Sequence, residues 1–247
     1  MSRWPTGCDA RRVALPTALS RAIGPVLGGR VLFGVPTRAP RFALTIDDGP
    51  SPATTPALLD VLARHGARAT FFLLGEEAAR HPELVARIAG EGHELGNHTW
   101  RDEPTWTLPV PEFREQLRAT QRTLAAHGPV RWFRPGSGWP TTEHLAVAEA
   151  DGLRCVLGSA VAIGGAGAGT ARTPTRLDVL IRRGTVLVLH EGTPARRAVA
   201  ATVDALLTRT SRRGLAATTL SELVAGRPDR SDSSKRPRGP TDEDAGP

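Results

Sequence analysis

The 247-residue chain contains no tyrosine, a single lysine (Lys235), a single methionine and only two cysteines, Cys8 and Cys155. Two cysteines so far apart supply neither a disulfide framework nor a cysteine-based metal site. Cys155 lies in the apolar run "RCVLG", where a free thiol behaves as a small hydrophobe, and no chemistry is assigned to it. The net charge is +7. With lysine and tyrosine nearly absent, however, the isoelectric point near 11.0 is set by arginine and overstates how basic any surface is. The arginines are scattered singly and aromatic residues make up 4%. The cationic stripe interleaved with aromatics that marks a nucleic-acid binder is therefore missing, and no nucleic-acid partner is expected. Also missing is an unbroken apolar segment that approaches the length of a membrane span. The twin arginines before "VALPTAL" faintly resemble a secretion signal, but Arg21 and Arg30 interrupt the apolar residues on its C-terminal side. Residues 1–40 are expected to form an extension with an amphipathic helix from about Val13 to Phe33, lying on the domain or on a membrane surface. Without a convincing signal peptide, a cytoplasmic location is favoured over secretion. No protein partner is implied.

From Arg41 the chain alternates short apolar strands with helices whose apolar residues recur at three- and four-residue spacing. "FALTI", "ATFFLL", "HELGN", "VRWF", "RCVLG", "TVLVLH" and "LAATTL" read as strands, each followed or preceded by a helical stretch. Such repetition means a parallel sheet wrapped by helices. It predicts a single α/β domain over 41–225, built as a distorted or incomplete parallel (β/α) barrel of about seven strands. No glycine-rich phosphate loop follows the first strand, which weighs against a dinucleotide-binding fold. The stretch "IGGAGAGTA" follows the fifth strand and reads as a loop. Residues 226–247, polar and rich in proline, glycine and serine, are expected to be a disordered tail.

The first strand ends in "TIDDGP", with Asp47 and Asp48 side by side. Adjacent buried carboxylates need a cation, a shared proton or open water. A polar turn would satisfy them in open water; a metal site with a second carboxylate free for proton transfer would use them chemically. In a parallel barrel the chemistry collects at the C-terminal strand ends. Those ends carry Asp47 and Asp48, then Asn97 and His98, then Arg134, Pro135 and Gly136, and finally His190 and Glu191. Carboxylates, histidines and an arginine converging on one rim favour the site.

These residues resemble the motifs of the polysaccharide deacetylase family, the NodB-homology carbohydrate esterases. "TIDDGP" is similar to the family's first motif with one apolar exchange, "HTWRD" to its second, "RPGSG" to its third and "LVLH" to its fifth, in order, across roughly 41–224. The resemblance implies a metal-dependent deacetylase that acts on N-acetylated amino sugars, with a carbohydrate as partner. Asp48, His98 and Asp102 would hold a divalent ion. His98 and Asp102, four apart, would face the same way on a helical turn. Zinc is the first expectation, with manganese, cobalt and magnesium as alternatives, because Asp102 stands where the family has a second histidine and hard oxygen donors suit those ions. Asp47 would be the general base, Arg134 its positioning partner, and His190 the general acid. The backbone N–H of Ser137 would assist at the oxyanion. Leu187 or Leu189 would line a pocket for the acetyl methyl, and Trp139 or Trp100 would stack on sugar. The family's fourth motif, an Asp and a Trp that orient the acid histidine, has no counterpart in "GSAVAIGGAGAGTARTP"; either another partner such as Asp178 or Glu191 serves His190 instead, or its tuning is lost. Two alternatives remain: a catalytically weak or silent carbohydrate-binding relative, and an amidase for a non-sugar acyl group.

Overall fold

A computed structural model describes residues 29–136, 139–161, 178–193 and 196–226. Among the described residues nine strands form one sheet: β1 (Val31–Leu32), β2 (Arg41–Gly49), β3 (Thr70–Leu73), β4 (Glu94–Asn97), β5 (Trp132–Phe133), β6 (Arg154–Val156), β7 (Ala160–Val161), β8 (Val186–His190) and β9 (Ala216–Thr218). Their order is β1-β6-β5-β4-β3-β2-β8-β7, and β9 pairs with the start of β2. Every strand pairing is parallel. The end strands β1 and β7 are not paired to each other, so the curled sheet is an incomplete barrel, as the alternating pattern predicts.

Seven helices accompany it among the described residues: α1 (Thr55–Arg64), α2 (Gly75–Arg80), α3 (Pro82–Gly90), α4 (Val110–Ala125), α5 (Thr142–Ala150), α6 (Val199–Arg212) and α7 (Leu220–Ala225). The sequence predicts one helix where α2 and α3 stand. Pro82 disfavours helical backbone at the residue before it, and His81 (φ −131, ψ 56) breaks the run there. "LAATTL" is only half a strand: Thr219 caps α7 through a capping box with Glu222. β1 lies inside the segment expected as an extension, and its pairing with β6 puts the edge of the folded domain at or before Val31. The rest of the expected amphipathic helix, the tail beyond Gly226 and Cys8 lie outside the described residues. No helix among the described residues is long and apolar enough to cross a membrane.

Strand period 2 sorts the core into two layers. Phe42, Leu44 and Ile46 point outward and pack under the helices with Phe71, Leu73, Leu95, Phe133, Cys155, Leu187 and Leu189. Ala43, Phe72, Trp132, Val156 and Val186 point inward and fill the barrel with Leu220 and Leu223. Gly96 makes room for this interior, since a Cβ there would sit 2.6 Å from the Phe72 ring. Cys155 is buried and its thiol is pushed up to about 12 by desolvation, in keeping with an inert core residue.

His93 gives the fold an acid-sensitive point. It is 8% exposed, packs against Phe71 and accepts the Ala69 N–H through Nδ1 at 3.3 Å. Burial, helped by Arg68, pushes it down to about 4 against the pull of Glu91. The unfolded chain therefore takes up a proton that the fold refuses, and stability is lost as pH falls from about 6.5 toward 4, by roughly 3 kcal/mol. Denaturant unfolding of wild type and His93→Gln across that range should show the gap between them closing in acid. A constant gap would contradict this.

Candidate active site

The same alternation that fills the barrel turns Thr45 and Asp47 inward, and the inward rows of β5 and β8 continue into Arg134 and His190. β2 and β8 are in register at Asp47 and His190. Arg134 follows Phe133 at the end of β5, and its Nη1 donates to Asp47 Oδ1 at 2.6 Å and to Thr45 Oγ1 at 2.7 Å. Its Nε donates to the Val156 carbonyl, and its guanidinium lies 4.1 Å from the Phe72 ring centroid. Asp47 and Arg134 are 2% and 3% exposed. A buried carboxylate is thus paired, as the physics of burial requires. His190 Nε2 lies 3.9 Å from Asp47 Oδ2 and is the more open group, with its side chain 27% exposed. Burial pushes His190 down, while Asp47 and Asp48 pull it up and Arg196 and His98 oppose them.

Asp48 departs from the strand at φ 71. That left-handed residue is uncommon outside glycine, and it swings the second carboxylate away from the first. Gly192 buttresses it from behind: at φ 90, a Cβ there would come 2.8 Å from the Asp48 carbonyl oxygen. The Asp48 Oδ1 lies 3.1 Å from His98 Nε2. On the far side of that ring, His98 Nδ1 sits 2.8 Å from the Arg134 carbonyl. A carbonyl only accepts, so Nδ1 carries the hydrogen and a neutral ring turns its Nε2 lone pair toward Asp48. Two lone pairs at that distance need a proton or a cation between them. Desolvation would raise the Asp48 carboxyl, but the hydrogen bond and charge of His98, with His190 and Arg196, hold it well below the usual carboxylate range. His98 is pushed up to about 9 against burial, chiefly by its hydrogen bond with Asp48.

The pair fits a divalent ion: one hard carboxylate oxygen beside one imidazole nitrogen whose ring is fixed by a backbone carbonyl. Asp102 does not join it. Among the described residues no group of three or more His, Cys, Asp or Glu is placed to hold an ion. Residues 98–102 are not a helical turn; Thr99 is left-handed at φ 66 and Asp102 is exposed on the bend beyond it. Four-residue spacing therefore carries no common direction there.

Two further expectations are corrected. Leu187 and Leu189 face the helix-side core and not the site; Val188, two residues before His190 and opposite Thr45, is the apolar side chain on the His190 face. Strand period 2 counted back from His190 identifies it. Asp178 is engaged by Arg213, and Glu191 accepts from Thr54 and Thr55, so neither serves His190. Trp139 stands exposed at the same rim, 5.8 Å from the Phe33 ring. Trp100 packs over the start of α2 at Gly75. Ser137 and residues 162–177, where the fourth motif would fall, lie outside the described residues. Sequence reading missed Arg196 altogether. It donates to Asp48 Oδ2 from 148 residues away, and no local pattern signals that contact.

Comparison with known proteins places this geometry in context. A family model for polysaccharide deacetylase matches residues 34–156. A chitooligosaccharide deacetylase from Bradyrhizobium sp. (strain ANU 289) is 33% identical over 180 residues, which is 72% of this chain and 78% of that one. The crystal structure of the Bc1960 peptidoglycan N-acetylglucosamine deacetylase, solved with a hydroxamate-type benzamide, superposes with a TM-score of 0.76 at 28% identity, covering 84% of this chain and 98% of that one. A family 4 acetyl xylan esterase from Clostridium thermocellum, solved with a cobalt ion, shares the fold with a TM-score of 0.68 at 24% identity, covering 76% and 93%.

Proposed function

The chain belongs to the polysaccharide deacetylase family, and from that premise we propose that it is a divalent-ion-dependent hydrolase that removes N-acetyl groups from N-acetylated amino sugars of the chitooligosaccharide or peptidoglycan type. The observation that carries this reading is the meeting of Asp47, Asp48, His98, Arg134 and His190 at one end of the sheet. Hydrolysis of an unactivated amide needs a base for water, an electrophilic partner for the acyl oxygen and an acid for the departing amine.

Asp48 and His98 would hold the ion, which when bound would act as a Lewis acid toward the acyl oxygen and the attacking water. Asp47 takes the water's proton. Its Oδ1 is tied to Arg134, which fixes the carboxylate plane and leaves Oδ2 turned toward His190. His190 protonates the leaving nitrogen. Burial depresses its pKa, so its imidazolium gives up the proton readily. Val188, two residues before His190 on the same face of β8 and itself buried, would back the position of the acetyl methyl. Trp139 offers an exposed ring to a sugar face.

Protein stripped with a chelator and reloaded with zinc, cobalt, manganese or magnesium, then given N-acetylated chitooligosaccharides, should release acetate only in the reloaded state. Release that survives chelation contradicts the proposal. Sugar binding without acetate release under any ion would favour a second reading, a silent carbohydrate-binding relative. Two observations support that second reading: Arg196 on Asp48, and Asp102 outside the pair.

A further inference from the structure

We propose that Arg196 is a resident cation of the ion site, which competes with the divalent ion for Asp48 and so sets how tightly this protein takes its metal. Arg196 opens the turn that leads into α6. Its Nη1 donates both to Asp48 Oδ2 and to the Glu191 carbonyl, the latter at 2.9 Å. One guanidinium nitrogen thus bridges the Asp48 carboxylate and the Glu191 carbonyl. The two oxygens of the Asp48 carboxylate are therefore divided, one to His98 and one to Arg196. The guanidinium can move, since its side chain is 24% exposed against 9% for Asp48.

A dication arriving between Asp48 and His98 meets a fixed positive charge on the same carboxylate. The ion must weaken or displace the Arg196 contact, and the lost charge-assisted hydrogen bonds come off its own affinity. Glu191 reinforces the competitor without its side chain: only its backbone oxygen holds Arg196, while its carboxylate turns away to Thr54 and Thr55. Loading the site and freeing Arg196 into the rim beside His190 are thus one event.

The inference rests on the proposed ion site, and its test separates the two. Equilibrium dialysis of cobalt against the full chain should give an affinity for Arg196→Met about 10- to 100-fold tighter than wild type, the worth of a charged hydrogen bond. Arg196→Lys, which keeps the charge but carries it on a shorter and more strongly hydrated side chain, should fall between them. Thermal unfolding without metal identifies any variant that has not folded. In that event the cobalt-loaded wild-type structure decides, with Arg196 expected off Asp48. Equal or weaker affinity in a folded Arg196→Met, or Arg196 still seated on Asp48 in the loaded protein, overturns the proposal. If Asp48→Asn loses cobalt while Arg196→Met gains nothing, only the role of Arg196 fails. If Asp48→Asn binds cobalt as tightly as wild type, the ion site itself is wrong and both readings fall.

Discussion

Asp47→Asn should lower acetate release from N-acetylated chitooligosaccharides by about 10²- to 10⁴-fold, the range that a positioned general base contributes. The substitution isolates the proton-transfer role. Asparagine has nearly the same shape, and its carbonyl oxygen can still accept from Arg134 Nη1, which now reaches Asp47 Oδ1 at 2.6 Å. What it lacks is the ability to take a proton. Ion binding should change little, because the neighbouring carboxylate that faces His98 belongs to Asp48 and diverges from Asp47 at a left-handed residue. Steady-state rates measured beside cobalt dialysis check both halves. A variant that keeps wild-type turnover removes Asp47 from the chemistry.

Arg134→Met should cost about 3–5 kcal/mol of folding stability, the usual loss when one member of a buried ion pair is removed. The residue is 3% exposed and holds Asp47, Thr45 and the Val156 carbonyl while lying over Phe72. Methionine can refill much of the volume, so the loss comes from stranding the Asp47 carboxylate and the Val156 oxygen in the barrel interior. Combining Arg134→Met with Asp47→Asn should therefore recover part of the loss, because the stranded group is then neutral. Urea unfolding of both single variants and the double variant closes the cycle. Strict additivity would show that Arg134 supports the interior through packing alone.

Legibility in the sequence tracks the regularity of the backbone. Where a strand runs straight, as from Phe42 to Asp47, period 2 places outward leucine and inward aspartate correctly, and successive strand ends bring Asp47, His98, Arg134 and His190 to one rim. Consistently applied, the same rule selects Val188 over Leu187 and Leu189, so the signal for the correct side chain is present in the strand itself. Where the backbone turns left-handed, at Asp48 and Thr99, residue spacing stops predicting direction, and the expected grouping of His98 with Asp102 fails for that reason. Two-residue strands such as β1 and β7 are too short to show a period; only pairing with β6 and β8 defines them. The contact of Arg196 with Asp48 is purely tertiary. It joins the loop after β8 to the end of β2, and nothing local to either segment requires it.

The most direct measurement is an anomalous difference map at the cobalt edge from a crystal of the full chain soaked in cobalt. The account predicts a single strong peak within bonding distance of both Asp48 Oδ1 and His98 Nε2. A well-ordered crystal that binds cobalt elsewhere, or shows no peak at that pair, would contradict it.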